Sequence, residues 1–77
     1  MSRRLPQLAA REVIRALERA SFFIERSSGS HHLLVHRTDP RRRTIVAYHG
    51  SKDIPRGTLR NILRQAQLTV DEFLSLL

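Results

Sequence analysis

Seventy-seven residues without a cysteine bury only about 60% of the surface their unfolded chain exposes. That size and composition exclude a disulfide framework, a thiolate zinc site and a large enclosed cavity. Fourteen Lys and Arg against seven Asp and Glu give a net charge of +7, and thirteen of the fourteen cations are arginines; the planar donor fork of arginine suits phosphate or carboxylate, so a polyanion or an acidic protein is the expected counterpart.

The longest apolar run, Ile45-Val46-Ala47-Tyr48, is four residues, far short of the ~20 that span a bilayer. The arginines of the opening "MSRRLPQLAARE" precede no apolar region of a secretory signal. One cytoplasmic domain over residues 1–77, with no membrane partner, is the expectation.

From Ala10 onward, apolar residues fall at Ala10, Val13, Ile14, Leu17 and Ala20, the spacing of a helix with one buried stripe. Pro6 precedes this helix, no good N-cap residue is present, and its start is placed at Leu8 or Ala9. Phe22-Phe23-Ile24-Glu25-Arg26 reads as a strand closed by a turn at "SSGS". A second strand follows from His31 to about Arg37, "TDPRRR" makes a hairpin loop, and Thr44 to Tyr48 form a third strand, which together predict an antiparallel meander.

Beyond the loop "SKDIPRG", Thr58 is the expected N-cap of a second helix that buries Leu59, Ile62, Leu63 and Ala66. The tail "LTVDEFLSLL" carries a capping box, Thr69 with Glu72, flanked by Leu68 and Phe73 at the positions of a hydrophobic staple, and predicts a short third helix. The class is therefore α+β: helix, three-stranded antiparallel sheet, helix, short helix. These helices can cover only one face of the sheet, leaving the other open, as on many small nucleic-acid-binding domains.

Four histidines, His31, His32, His36 and His49, raise the question of a metal. Alternation sends His31 and His32 to opposite faces, and His32 and His36 share a face but lie ~13 Å apart at ~3.3 Å per residue, too far to hold one ion. No metal and no cofactor is expected. A hydrolase triad is not expected either, because there is no serine on a strand-to-helix elbow with an acidic third partner.

Acid–base cleavage of RNA asks for less. The substrate brings its own nucleophile, the 2′-OH, so one group that titrates near neutrality and cations to hold the phosphorus-centred charge are sufficient. Plain RNA binding fits the same composition, and a histidine at the head of a strand is more often a surface donor than a catalyst.

"GSHH" heading a strand, "VAYHGSKDIPRGTLRNILRQAQLTVDEFLSLL" as the C-terminal part and a leading "REVIRALERASF" helix together resemble the HicA toxins of bacterial toxin-antitoxin modules, over about Leu5 to Leu77. The resemblance implies a fold like the double-stranded RNA-binding domain. It also implies a ribonuclease that cleaves mRNA, arrests growth and is silenced by a cognate HicB antitoxin. It places the family's catalytic histidine on His31, completed by Gly29 and Ser30, with Gly29 shaping the turn that presents the imidazole. His49-Gly50 recurs in the family, which implies either a loop-shaping or RNA-contact role or a purely structural one.

Two departures stand out. The glycine usual between the first helix and the first strand is replaced by Ala20-Ser21, which predicts a strained corner, and the proline common in the third strand is Ala47. For RNA contact the expected cations are Lys52 in the loop, Arg56 just ahead of the second helix and Arg60 in its first turn, aided by backbone N–H groups at the helix start. Arg26, Arg41, Arg42 and Arg43, on sheet edge and hairpin, rank behind them, and His32 is expected to pack or hydrogen-bond near the helices. Three readings follow: a metal-independent endoribonuclease neutralised by an acidic HicB-type antitoxin, a non-catalytic module that holds double-stranded RNA by shape, and a protein whose basic face only docks an acidic partner.

Overall fold

In the computed structural model, which describes residues 4–77, the element order is β1 (Leu8–Ala9), α1 (Ala10–Arg19), β2 (Phe22–Ser28), β3 (His31–His36), β4 (Arg43–Ala47), β5 (Asp53–Ile54), α2 (Arg56–Ala66) and α3 (Val70–Leu74). α1 buries Ala10, Val13, Ile14, Ala16 and Leu17, the stripe its 3.6-residue period dictates, and Ala20 packs partly buried at its edge. The helix starts later than Leu8 or Ala9 because those two residues pair instead as β1 with β5, Leu8 opposite Ile54. Ala9 has no side chain with which to cap, and the Glu12 carboxylate accepts its N–H at 3.0 Å, which supplies half of a capping box.

α2 buries Leu59, Ile62, Leu63 and Ala66 as expected, but its N-cap is Pro55 and not Thr58. The Leu59 N–H donates to the Pro55 carbonyl at 2.9 Å as the first intrahelical bond. Two interactions fix this earlier start: the β1–β5 ladder holds the chain immediately before Pro55, and Arg56 Nε donates to the Leu5 carbonyl at 2.9 Å. α3 has the expected capping box, with Glu72 N–H donating to Thr69 Oγ1 at 3.0 Å and Thr69 N–H donating to the Glu72 carboxylate at 2.8 Å. That backbone hydrogen bond from Thr69 holds the Glu72 carboxyl below its ordinary pKa. Leu68 and Phe73, on either side of the box, both pack into the core.

The sheet runs β2-β3-β4, all antiparallel. Directly opposed residues share a face, and the register sets Phe22 against His36, His32 against Ser27 and Val46, and Leu34 against Ile24 and Thr44. Phe22, Leu34 and Val46 are buried in one cluster with the apolar faces of α1 and α2 and with Phe73 of α3, so this is the face the helices cover. Thr44 is the buried polar residue of that face, and its hydroxyl donates to Gln65 Oε1 of α2 at 2.7 Å, which removes the cost of burying it. The other face carries His31, Leu33, Val35, Arg43, Ile45 and Ala47; Ile45 is 55% exposed where its neighbour Val46 is 0%.

β2 departs from the expected strand in two ways. It continues past Arg26, since Ser27 and Ser28 pair with His32 and His31, and the turn is reduced to Gly29-Ser30. Its register also steps between Ile24 and Arg26, leaving Glu25 as the extra residue of a β-bulge. Between α1 and β2, Ser21 adopts φ +73°, in the left-handed region that disfavours a residue bearing a Cβ. Helix, three-stranded meander and helices on one face make the α+β arrangement of the double-stranded RNA-binding domain. No helix among the described residues is long and apolar enough to cross a membrane.

Candidate active site on the open face of the sheet

Gly29 and Ser30 join β2 to β3. Gly29 has φ +58°, and a Cβ there would meet open space, so the backbone conformation and not crowding requires glycine. A positive φ at the first of two central residues is the pattern of a type II′ hairpin turn. The Ser30 carbonyl accepts the Tyr48 N–H at 2.6 Å, which fastens the turn to the end of β4. His31 therefore opens β3 at a fixed place, opposite Ser28 on one side and Ala47 on the other. Its imidazole is exposed, and it has no hydrogen-bond or ring partner among the described residues.

The neighbouring strand histidines are committed. His32 Nδ1 is hydrogen-bonded to Ser27 Oγ at 2.7 Å, and its ring meets Tyr48 edge-on at 6.0 Å, so its partners lie on β2 and just beyond β4 and not on the helices. His36 sits edge-on to Phe22 at 5.2 Å, and its Nδ1 accepts the Thr38 N–H at 3.2 Å. His49 lies in the loop after β4; its carbonyl accepts the Lys52 N–H at 3.3 Å, across a turn in which Gly50 has φ +64°.

Around His31 lies a shallow hollow of about 120 Å³ lined by Arg26, Ser28, His31, Leu33 and Ile45. Leu33 and Ile45 also line a longer groove of about 480 Å³ that passes the edge of β4 to Thr58, Asn61 and Gln65 of α2. Thr58 and Ile62 connect that groove to a third hollow of about 400 Å³ containing Ala47, His49 and Lys52. The three share lining residues and form one continuous surface from the tip of β2 to the start of α2.

Of the three cations expected from the sequence, Lys52 alone lines this surface, and Arg56 and Arg60 of α2 line none of its three hollows. Lys52 lines the third hollow. Arg56 is not ahead of α2 but is its first residue, and its side chain is already bonded to Leu5. Arg60 lies exposed in the second turn of α2, one turn further along than expected. None of the three lines the hollow of His31, whereas Arg26, ranked behind them on sequence, does. Among the described residues no three His, Asp or Glu side chains are grouped as metal ligands.

A meander with helices on one face and an unpartnered histidine on the other defines a class: a small, strongly basic fold of the double-stranded RNA-binding-domain type with one face of its sheet left open. Within that class, residues 10–68 match the family described as the HicA toxin of bacterial toxin-antitoxin. The chain belongs to the HicA toxin family, and so to the toxin side of a toxin-antitoxin pair. No individual curated protein matches it significantly.

Proposed function

We propose that this toxin is a metal-independent endoribonuclease that cleaves mRNA in the cytoplasm through His31 and is neutralised by an acidic HicB-type antitoxin. The observation that carries the reading is the difference among the strand imidazoles: His32 and His36 are tied into the protein, and His31 alone is presented to solvent beside a basic surface. A hollow of about 120 Å³ is smaller than the ~300 Å³ or more of a typical small-molecule pocket. An open, continuous surface suits a polymer.

In the reaction, His31 takes the proton of a 2′-OH, and the oxygen lone pair forms a bond to the adjacent phosphorus. The P–O5′ bond breaks with its electron pair on the 5′ oxygen, which is protonated by solvent water, leaving a 2′,3′-cyclic phosphate and a 5′-hydroxyl. Gly29 and Ser30 set the turn, His49 and Gly50 shape the loop that carries Lys52, and Lys52 with Arg60 meets flanking phosphates; Arg56 adds charge at the helix start while anchoring it. Net charge of +7 equally suits an acidic antitoxin.

The test is cleavage of single-stranded RNA by the purified protein, with and without a chelator, beside the same RNA carrying one 2′-deoxy nucleotide at the cut site. Cutting is expected to survive chelation, to yield the cyclic phosphate and to stop at the deoxy position. Efficient cutting of the deoxy strand would show that the attacking oxygen is not the RNA's own, and a bound but uncut RNA would leave the non-catalytic module in its place.

A further inference from the structure

Simple alternation along β2, counted from the buried Phe22, sends Ile24 and Arg26 to the helix-covered face. The extra residue Glu25 changes that count. Because the register steps from Ile24 opposite Leu34 to Arg26 opposite Leu33, Arg26 takes the face of Leu33 and lies diagonal to His31, which stands two residues before Leu33 on the same strand. Diagonal neighbours on one face are within reach of a long side chain, and Arg26 and His31 line the same hollow. An unbulged strand continuing from that register would set Glu25 against Leu33, and the charge beside His31 would be negative.

Bulges re-aim side chains, and they recur next to active sites for that reason. Here the displaced acid is occupied elsewhere: Glu25 Oε1 lies 3.7 Å from Arg43 Nη2. Arg26 is exposed and has no ion-pair or hydrogen-bond partner among the described residues. An unneutralised guanidinium with no structural duty is held by a backbone irregularity beside the one unpartnered strand histidine.

We infer that Arg26 is the residue that binds the scissile phosphate of RNA at His31, its guanidinium donating to a non-bridging oxygen as negative charge builds on phosphorus. The inference rests on the reading of His31 as the proton-transfer group. While the 2′ oxygen bonds to phosphorus and the P–O5′ bond breaks, the phosphorus-bound oxygens carry the added charge, and a planar fork of donors meets two of them without deprotonating. Leu33 and Ile45 complete the lining of the hollow.

Single-turnover cleavage of a short RNA by excess full-length protein tests it, with Arg26→Ala, Arg26→Gln, Arg26→Lys, His31→Ala and, as an off-face control, Arg11→Ala on α1. Losing one donor to a developing oxyanion costs about 10²- to 10³-fold in rate, so Arg26→Ala and Arg26→Gln are expected to slow cleavage by that factor with unchanged melting temperatures. Arg26→Lys is expected to recover part of the loss, since it restores the charge without the fork, and Arg11→Ala to cut normally. If Arg26→Ala cuts within threefold of wild type while His31→Ala is inactive, the assignment of Arg26 is overturned and that of His31 stands. If His31→Ala also cuts at the wild-type rate, both fall together.

Discussion

The two faces of the sheet treat the same side chain in opposite ways. On the helix-covered face, His32 and His36 each have a ring neighbour and a hydrogen bond at Nδ1, and their imidazoles serve as half-buried packing groups. On the open face, one residue away along β3, His31 has neither. A strand's two-residue period is enough to separate a structural histidine from an available one. Adjacency in sequence therefore says nothing about shared duty, whereas the burial of the partner strand's residue at the same level says a great deal: His32 is opposite the fully buried Val46, and His31 is opposite Ala47.

Two substitutions set the faces against each other most sharply. His31→Ala is expected to lower cleavage by at least the ~10² to 10⁴ that a positioned acid–base group contributes, with stability changed by no more than about 0.5 kcal/mol, as for an exposed side chain without partners. His32→Ala is expected to do the reverse. Side-by-side cleavage rates and thermal melts decide it, and a His31→Ala protein that cuts normally ends the catalytic assignment.

A second measurement asks which end of the surface holds the flanking RNA. In a cleavage-inactive His31→Ala background, Lys52→Ala with Arg60→Ala should flatten the plot of log affinity against log salt by about 0.7 for each single-strand phosphate that the protein no longer neutralises. Arg56→Ala is a poor probe of the same kind because its Nε bond to Leu5 makes it a stability variant as well. An unchanged slope moves the RNA away from the start of α2.

A smaller effect separates packing from chemistry on the helix face. Removing the His32 imidazole forfeits a hydrogen bond and an edge-on ring interaction, together about 1 to 2 kcal/mol, or several degrees in melting temperature for a chain of this size, with cleavage per folded molecule retained. The smallest expected change is a gain: Ser21→Gly relieves the left-handed φ of +73° and should stabilise the fold by about 0.5 to 1 kcal/mol after the extra chain entropy of glycine is subtracted. It touches neither face, so a calorimetric melt should rise while the cleavage rate stays at the wild-type value.

Much of this fold is legible in the sequence because its signals are periodic. Leu59, Ile62, Leu63 and Ala66 repeat at helical spacing and are buried, Thr69 and Glu72 form the capping box their spacing promises, and the even positions of β3 face the helices as alternation requires. Features with no period are illegible. A two-residue ladder between Leu8–Ala9 and Asp53–Ile54 leaves no pattern in either segment, and it displaces the expected start of α1 and helps to displace that of α2. The bulge at Glu25 is marked by no glycine, so only the register reveals the face of Arg26. The hollow of His31 is half legible for that reason: the face of its histidine follows from alternation, and the face of its arginine does not.

The β1–β5 ladder and the bond from Arg56 to Leu5 also bear on the order in which the molecule is assembled. β2, β3 and β4 pair with sequence neighbours across short connections, while β1 has to meet β5 across most of the chain, and long loops close at a higher entropic cost. The meander with its Gly29 turn is expected to form first and the ladder to close last, which makes the ladder the first part to open. Native-state hydrogen exchange should therefore find the Ile54 amide less protected than that of Leu34. In that partly opened form, Lys52 swings free with the end of its loop while the turn that presents His31 stays folded.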